Sequence, residues 1–453
     1  MKKIFLTVGI AILLIFVLTG AYFLPPVRWR VDEWVLRIKY SLNPPQSVVF
    51  VPGSAAQNQP VSAQARPDGT LPPPAVYTAT PAATRMAAID PTQAGLIATQ
   101  SPNELVGSTQ EPSPTPTIPS TPLPGRVSLK GVVYEDQHGR WNYCAPANLA
   151  MALSYWGWKG DRDVVGPVLK PDPKDKNVMP YEMVDYIQTH TDLRVASRVG
   201  GDLDTLKRFI AAGFPVLVEK GTYLTDLTGV KSWMGHYEVV TGYDDARGVF
   251  ITQDSFTSPD YEVTYDTMEK GWRAFNNVYL VVSSAEKSDQ VTALLGQDAD
   301  ETANVRHAAE KAAQEIYATT PIDQYFTWFN RGTNLRLLQD YTGAAQAFDQ
   351  AFQVYPSIPE AERPWRMLWY QTDPYFAYFY SGRYWDVLSL ANTTLDTMQS
   401  EKNIEETYYW RGMAKQALGD SAGAIEDYRT AISYHAGFGP ATYQLQQLGV
   451  AAP

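Results

Sequence analysis

The N-terminus of the chain carries a long hydrophobic run. No charged residue occurs over the 21 residues 4–24, and Pro25 and Pro26 follow directly. As a helix, a run of this length covers about 31 Å, which is enough to cross the core of a bilayer. We therefore predict a transmembrane anchor within residues 1–26. A cleaved signal peptide is the alternative, because Thr19, Gly20 and Ala21 form a small-residue cleavage site.

Residues 27–52 form a predicted juxtamembrane segment. Basic and apolar residues alternate from Trp29 to Leu42, which fits either an amphipathic helix lying on lipid or a solvated spacer. Positive charges flank the hydrophobic run on both sides, so they do not decide the topology. The short basic N-terminus and the following linker favour a single-pass membrane protein with the bulk of the chain extracytoplasmic.

Proline, serine, threonine, alanine and glutamine dominate residues 53–127. Of the 33 prolines, 15 lie between Pro52 and Pro124, and no tryptophan occurs between Trp34 and Trp141. A segment with so few large apolar side chains buries too little surface to offset the entropy lost on folding. We predict a disordered linker that acts as a stalk, with a proline-rich ligand for another protein as the alternative.

After residue 128 the apolar and aromatic positions return, first at helical spacing and then in strand-like runs. The later runs are rich in valine, isoleucine and tyrosine. The predicted helices are 145–156, 180–189 and 203–212, and the predicted strands are 216–219, 237–242, 248–253 and 277–282. Helices followed by an antiparallel sheet predict an α+β domain over residues 128–285.

Residues 300–450 have a helical pattern throughout, and three of their segments are similar to one another. These segments are residues 329–352, 375–395 and 409–432. Aligning Tyr341, Tyr384 and Ser421 gives spacings of 43 and 37 residues, near the tetratricopeptide period of about 34 residues. Small residues such as Gly332 and Gly412 stand where paired helices would approach closely. The region resembles tetratricopeptide repeats, clearly in the first and third segments and loosely in the middle one.

Composition narrows the range of functions. Lysine and arginine total 37 against 48 aspartates and glutamates, so the formal net charge is −11. This balance argues against nucleic-acid binding, which needs clustered basic residues. The single cysteine excludes an internal disulfide and a cysteine-rich zinc site. We predict no cofactor and no metal, and we expect the charged loop 170–176, a weak mimic of metal ligands, to be a solvated turn.

The single cysteine, Cys144, stands at the start of the first predicted helix. The partial positive charge of a helix N-terminus favours the thiolate, which is the nucleophilic form of cysteine. Gln137, seven residues upstream, carries a side-chain amide that can donate to an oxyanion, and the backbone N–H of Cys144 is a second donor. These residues predict a nucleophilic thiol with an oxyanion hole. The alternative is a buried apolar cysteine without chemistry.

A nucleophilic thiol needs a base and a group that orients the base. Of the five histidines, His236 opens a predicted strand that leads into the turn 244–248. A hairpin centred near Asp245 would place Asp254 opposite His236, with Cβ atoms about 5 Å apart on one face. A register slip of one residue would move Asp254 to the other face. His236 and Asp254 are therefore the predicted base and orienting carboxylate.

Residues 137–157, together with 235–242 and 253–254, resemble the C39-like branch of papain-like cysteine peptidases. The resemblance covers about residues 130–284, a third of the chain. One departure is Ala145, which follows the cysteine where the family often has glycine. Pro146 in the first turn remains compatible with a helix start.

The resemblance implies a papain-like α+β fold with four active-site roles. These roles are nucleophile for Cys144, general base for His236, orienting carboxylate for Asp254 and oxyanion donor for Gln137. The best-known relatives trim double-glycine leader peptides while fused to a transporter. The chain lacks a glycine-rich phosphate loop followed by lysine, so that substrate is not carried over.

Two functions are compatible with these features. The first is a membrane-anchored cysteine peptidase that hydrolyses a peptide or protein substrate, with the repeats recruiting that substrate or a partner. The second is an inactive papain-like and repeat scaffold for protein–protein interaction at the cell surface. The same residues also suit amide hydrolysis or acyl transfer on cell-wall material, which the sequence does not separate from peptidolysis.

Overall fold

The computed structural model describes residues 19–20, 22, 24–42, 47–54, 122–225, 229–317, 320–398 and 401–453. Most of the predicted anchor and of the predicted linker lies outside these residues. Within the described part of the chain, no helix is long and apolar enough to cross a membrane. A sheet-containing domain is followed by a helical region, so the predicted multi-domain order is confirmed.

Helix α1 (Pro25–Leu42) contains the segment for which the sequence left a helix or a spacer open. Its exposed apolar side chains include Val31, Trp34, Val35, Ile38 and Leu42. Leu36 is buried, and Lys39 Nζ lies 3.2 Å from Glu401 Oε1 in the helical region. The helix therefore lies against the folded body, while contact with lipid stays a prediction.

The first domain is built on a seven-stranded antiparallel sheet. Its strands are β1 (Arg126–Ser128), β2 (Arg194–Arg198), β3 (Val216–Thr225), β4 (Lys231–Asp244), β5 (Val249–Asp254), β6 (Ser258–Thr264) and β7 (Tyr279–Ser283). Its helices are α2 (Cys144–Ser154), α3 (Arg162–Leu169), α4 (Pro180–His190), α5 (Leu203–Ala211) and α6 (Tyr265–Arg273). The strand order is β2-β7-β3-β4-β5-β6, and β1 pairs with β4.

Alternating side chains of the sheet belong to two apolar clusters, one on each face. Leu217 of β3 packs with α2 and α4, whereas its neighbours Val216 and Val218 pack with α5 and α6 on the other face. This alternation follows from the period of two along a strand. Helix α2 is therefore held against one face of the sheet, close to β4.

The three predicted helices agree with α2, α4 and α5 to within two residues, and the four predicted strands correspond to β3, β4, β5 and β7. The prediction ended β3 six residues too early and began β4 six residues too late, and it missed helices α3 and α6 and three strands. Strands β2 and β6 form the two edges of the sheet, and both are polar and partly exposed, so they lack the apolar run that marks a central strand. Strand β1 lies within the predicted linker, where it pairs with the end of β4. The folded domain therefore begins before residue 128.

The second region is helical. Its α-helices are α7 (Ser288–Leu295), α8 (Glu301–Glu315), α9 (Pro321–Leu337), α10 (Tyr341–Val354), α11 (Met367–Tyr370), α12 (Asp373–Tyr380), α13 (Tyr384–Thr397), α14 (Glu405–Ala417), α15 (Ser421–Tyr434) and α16 (Gly439–Gln447). Short 3₁₀ turns occupy Ala285–Lys287, Gly296–Ala299, Tyr355–Ser357 and Glu360–Glu362. The pairs α9/α10, α12/α13 and α14/α15 match the three similar segments.

Two glycines allow paired helices to approach closely, as the sequence predicts. A Cβ atom at Gly332 would lie 2.7 Å from the Phe348 ring. A Cβ atom at Gly412 would lie 2.7 Å from the Tyr428 ring. Both distances are shorter than a carbon–carbon contact allows, so a larger residue at either position would separate the two helices.

The charged loop 170–176 is not the solvated turn expected from the sequence. Lys170, Asp175 and Lys176 are buried, and the Lys176 backbone N–H donates to the Asn403 carbonyl at 3.1 Å. The expectation was wrong because the helical region covers this loop, and sequence-local reasoning has no access to such a contact. One apolar cluster is accordingly shared by the two domains.

Candidate active site

Cys144 is the first residue of α2, whose next nine residues are all buried. No side chain caps this helix, so no capping oxygen takes up the amides of its first turn. The thiol itself is only half-buried. A half-buried thiol at an uncapped helix N-terminus combines access for a ligand with a partial positive charge that favours thiolate.

His236 lies in the middle of β4 and is buried against Asp254. Its Nε2 atom is 2.8 Å from Asp254 Oδ1. The same Oδ1 accepts the backbone N–H groups of Phe256 at 2.8 Å and Thr257 at 3.1 Å. The turn after β5 therefore fixes the carboxylate, which in turn fixes the imidazole. Since Nε2 faces Asp254, the other ring nitrogen, Nδ1, is left for Cys144.

The strand register behind this pair differs from the predicted one. Val239 pairs with Gln253 and Val240 with Thr252, and an irregularity follows between Val240 and Gly242. This register places His236 about two residues beyond the position opposite Asp254, so the predicted direct pairing was wrong. A displacement of two residues keeps both side chains on the same face of the sheet, which is why they still meet.

Cys144, His236 and Asp254 shift one another's pKa values toward their charged forms. Burial alone would raise the pKa of Cys144, but the hydrogen bond and charge of His236, with a contribution from Lys170, hold it below its ordinary value. Burial alone would lower the pKa of His236, but Asp254 and Cys144 raise it to about 10. Although burial opposes it, the His236 charge holds the pKa of Asp254 well below its usual range. These directions favour a thiolate–imidazolium pair at neutral pH.

Gln137 is positioned by Ser255. Ser255 Oγ donates to Gln137 Oε1 at 2.8 Å, and the Gln137 backbone N–H donates to the Ser255 carbonyl at 2.9 Å. Asn148 Nδ2 lies 2.8 Å from Ser255 Oγ, 2.7 Å from the Tyr237 carbonyl and 2.9 Å from the Cys144 carbonyl. Because the oxygen of the Gln137 amide is engaged, its NH₂ group is left as the donating end.

Sequence reasoning missed Asn148 and Ser255 as parts of this site. Asn148 is one helical turn after Cys144, so both lie on the same side of α2, and Ser255 follows Asp254 directly. The available signal was an asparagine within an apolar helical run. Such a residue is buried with the rest of the helix, and a buried polar group needs hydrogen-bond partners.

Lys170 braces the loop that precedes the nucleophile. Its Nζ atom donates to the carbonyls of Trp141 at 2.6 Å and Asn142 at 3.2 Å. Asn142 Nδ2 donates in turn to the Asp175 carbonyl at 2.9 Å. Burial lowers the pKa of Lys170 to about 8, against the opposing charges of Asp175 and Cys144. Since the helical region covers the loop 170–176, that region supports the approach to Cys144.

The helical region also contacts the strand that carries His236. Arg366 donates through one guanidinium nitrogen to Ser232 Oγ at 2.7 Å and to the Trp233 carbonyl at 2.9 Å. The ring of Tyr370 lies 6.1 Å, centroid to centroid, from that of Trp233. The second domain therefore packs against β4 only a few residues from the candidate base.

The remaining histidines have other surroundings. His138 is exposed and pairs with Asp136 at 2.6 Å, while His190 and His307 are also exposed. His435 Nδ1 lies 2.7 Å from Glu405 Oε1. With Glu182 these two residues form a group of metal-ligand types whose atoms lie within 4.8 Å of one another. The hydrogen bond between His435 and Glu405 already accounts for their approach.

Two regions of the chain match models of known families. Residues 129–285 match the model of the Peptidase_C39 like family. Residues 405–435, which cover α14 and α15, match the tetratricopeptide repeat model. The resemblance of the two regions to these families is therefore confirmed. No curated protein matches the chain.

One of the solved structures that resemble the chain matches about a third of its length. It is described as a C39-like peptidase from Bacillus anthracis, and the two chains are 16% identical. The match covers 35% of the present chain and 98% of the other, with a TM-score of 0.29.

Proposed function

We propose that the first domain is a cysteine peptidase of the C39-like class that hydrolyses peptide bonds. The observation that carries the proposal is the position of His236, which is held by Asp254 at 2.8 Å and lies close enough to Cys144, the first residue of α2, for each to shift the pKa of the other. A thiol, a base and an orienting carboxylate in this order are the parts that nucleophilic acyl chemistry requires. The match to a peptidase family supports the same class of reaction.

In the proposed reaction, the Cys144 thiolate attacks the scissile carbonyl carbon and forms a C–S bond. The negative charge moves to the carbonyl oxygen, where the Gln137 amide and the Cys144 backbone N–H donate to it. The His236 imidazolium then protonates the leaving amine as the C–N bond breaks. Neutral His236 next deprotonates a water molecule that attacks the thioester, which releases the acid and restores the thiol. Asp254 keeps the imidazole oriented throughout.

The proposal is tested with a peptide library and a thiol-reactive peptide electrophile. Cys144→Ala and His236→Gln should abolish cleavage, and Cys144→Ala should also abolish labelling. His307→Gln is the matched control, because His307 is an exposed histidine of the helical region that pairs with Asp298. A wild-type protein that neither cleaves nor becomes labelled would contradict the proposal and favour the scaffold function. Cleavage of cell-wall amides but not of peptides would assign the same residues to amide hydrolysis on cell-wall material.

The helical repeats are proposed to recruit the substrate or a protein partner. Stacked helix pairs present extended surfaces suited to peptides, and one repeat matches its family model. Deleting residues 401–453 is not a suitable test, because this part also covers the loop 170–176. Substitution of exposed repeat residues, followed by capture of partners with the full chain, keeps the catalytic domain intact.

Attachment to a membrane through residues 4–24 is also proposed, on the hydropathy of that run alone. The full chain should stay with the membrane fraction after alkaline carbonate extraction. A chain that starts after residue 26 is the control and should be released. Release of both chains by the same treatment would contradict an integral anchor.

A further inference from the structure

Residues 47–54 pack onto the helical repeats, far from their own place in the sequence. Phe50 is only 5% exposed. Its ring centroid lies 5.0 Å from that of Phe352 in an edge-on arrangement and 6.1 Å from that of Tyr378. Val49 packs against the same cluster, whereas Val51 is exposed. The segment therefore contributes one large aromatic side chain to a pocket made by another part of the chain.

Polar contacts fix the segment on both sides of Phe50. The backbone N–H of Gly53 donates to Asp386 Oδ1 at 2.7 Å. Ser47 Oγ lies 3.3 Å from the Tyr355 hydroxyl. A short turn brings Gly53 to Asp386, because Gly53 has a φ of +76° and Ser54 Oγ donates to the Val51 carbonyl at 2.7 Å. Only glycine adopts that φ without strain.

The receiving surface is held in place by the repeats themselves. Asp386 is buried, and its second oxygen accepts Arg383 Nε at 2.7 Å. Arg383 also donates to Asp349, and the Tyr378 hydroxyl donates to the same carboxylate at 2.9 Å. We call the residues Phe352, Tyr355, Tyr378 and Asp386 the Phe50 site. Two successive helix pairs build it, with a buried carboxylate oriented toward a backbone amide.

We propose that the Phe50 site is a peptide-binding site of the repeat array and that its ligand is the chain's own segment 47–54. The chemistry of this ligand is an uncharged extended peptide with one aromatic anchor followed by a tight turn at proline and glycine. An aromatic anchor in a pocket, flanked by a few backbone hydrogen bonds, is a common way to hold a peptide. This assignment does not depend on the proposed peptidase activity.

The assignment changes the expected role of the linker. Ser54 lies on the repeats, and the Pro124 carbonyl accepts the Tyr243 hydroxyl at 2.7 Å in the first domain. The chain between them therefore leaves from and returns to one folded body. If residues 4–24 anchor the chain, the Phe50 site holds the catalytic body beside the membrane rather than at the end of a stalk.

The test uses the full chain with a protease recognition sequence inserted between residues 90 and 91. After cleavage, the N-terminal fragment should stay bound to the body during size-exclusion chromatography in detergent. Phe50→Ala, which alters the ligand and not the repeats, should speed release of the fragment on the order of tenfold or more. Asp386→Asn should also speed release, and Val51→Ala, at a 57% exposed position, should not.

A synthetic peptide with the sequence of residues 47–54 should prevent rebinding, and the same peptide with alanine in place of phenylalanine should not. Rapid loss of the wild-type fragment would overturn the proposal. Equally firm retention of the wild-type and Phe50→Ala fragments would overturn it too, because another contact, such as that between Lys39 and Glu401, would then hold the fragment. Labelling of Cys144 stays unchanged in all these variants, so failure here is distinct from failure of the peptidase proposal.

Discussion

Gly235 lies against the ring of Tyr370. A Cβ atom at position 235 would be 3.2 Å from two ring carbons of Tyr370 and 2.8 Å from Phe275 Cζ. Tyr370 belongs to the helical region, and Gly235 directly precedes His236. The second domain thus fills the space beside the candidate base, and this space accepts only glycine without a shift of neighbouring rings.

We predict that Gly235→Ala disturbs the site from outside the reacting groups. The added methyl group forces Tyr370 and Phe275 away, and overpacking of this kind costs about 1–3 kcal/mol. Because His236 is the next residue, the rate of electrophile labelling at Cys144 should fall as well. Denaturant unfolding and labelling kinetics on the same sample check both effects.

Gly439→Ala is the matched control for this substitution. Gly235 lies in β4, whereas Gly439 lies in the helical region, where no atom of another part of the structure is within 4 Å of its hypothetical Cβ. It should change neither stability nor labelling measurably. Equal behaviour of the two variants would contradict a link between the repeats and His236.

Much of the candidate site could be predicted from the sequence, because its signals are local. A lone cysteine at a helix start, a glutamine seven residues upstream and a histidine next to a valine-rich strand run are all readable along the chain. The contacts of Tyr370 and of the loop 170–176 were not predictable, since they join residues far apart in sequence. The same holds for Phe50, whose partners Phe352 and Tyr378 lie some three hundred positions away.

The activity should depend on pH through Cys144 and His236. The pKa of Cys144 is held below its ordinary value and that of His236 is raised to about 10. The thiolate–imidazolium pair therefore persists across neutral pH. We predict a plateau in kcat/KM with an alkaline decline near pH 10, where His236 loses the proton that the leaving amine needs. A decline near pH 6.5, the ordinary histidine value, would contradict the raised pKa.

Asp254→Asn should move this alkaline decline to lower pH. The substitution removes the charge that raises the pKa of His236, while burial continues to lower it.

The free energy of unfolding should depend on pH in the directions that the pKa shifts of His236 and Asp254 set. His236 stabilises the fold below its unfolded-state pKa, and that contribution is lost as pH rises through about 10. Asp254 contributes above the ordinary aspartate pKa and loses its contribution as pH falls. Unfolding measured across pH in both proteins checks these directions.

Gln137 and Asn148 should give different kinetic signatures. Gln137→Ala removes a donor to the oxyanion, which lowers kcat by about 10²–10³. It should leave alkylation by a small haloacetamide unchanged, because alkylation forms no oxyanion. Gln446→Ala, at an exposed helical position, is the control. A fall in alkylation equal to the fall in kcat would show that Gln137 acts on the thiol itself.

Asn148→Ala should lower stability as well as activity. The Asn148 amide donates to the carbonyls of Cys144 and Tyr237 and to Ser255 Oγ. Without the amide these acceptors lose a partner, and a buried polar group left unpaired costs about 1–3 kcal/mol. Ser255 would also lose a partner that helps to position Gln137. Denaturant unfolding followed by kinetics on the folded fraction separates the two effects. Unchanged stability would contradict a bracing role.

The register of the β4–β5 hairpin shows why a correct pair of residues can rest on an incorrect alignment. The predicted turn centre near Asp245 placed His236 opposite Asp254, whereas Val239 pairs with Gln253 in the structure. The turn centres later than predicted, because Asp244 pairs with Val249, which gives an offset of three residues from the predicted register. The irregularity between Val240 and Gly242 reduces that offset to two, and the apolar pattern does not reveal it. An even offset preserved the shared face, and the turn after β5 brought the carboxylate back to the imidazole.

The last prediction concerns a buried ion pair between β3 and β4, the strand that also carries His236. Lys220 Nζ lies 2.8 Å from Glu238 Oε2, with 6% and 0% of the two side chains exposed. Lys220→Met leaves the Glu238 charge buried without a counter-ion, which should cost about 3–5 kcal/mol. Adding Glu238→Leu removes that charge too and should recover most of the loss. Lys270→Met breaks an exposed pair with Asp266 and should leave the free energy of unfolding almost unchanged, because solvent screens the pair.

Denaturant unfolding followed by tryptophan fluorescence compares the four proteins. The Lys220 charge also contributes to the low pKa of Asp254, so Lys220→Met should weaken the hold of Asp254 on His236 and lower activity in the fraction that remains folded. Similar costs for Lys220→Met and Lys270→Met would show that water reaches the inner pair. In that case Glu238 would not need Lys220, and the support for Asp254 would come from His236 and from Phe256 and Thr257 in the turn after β5.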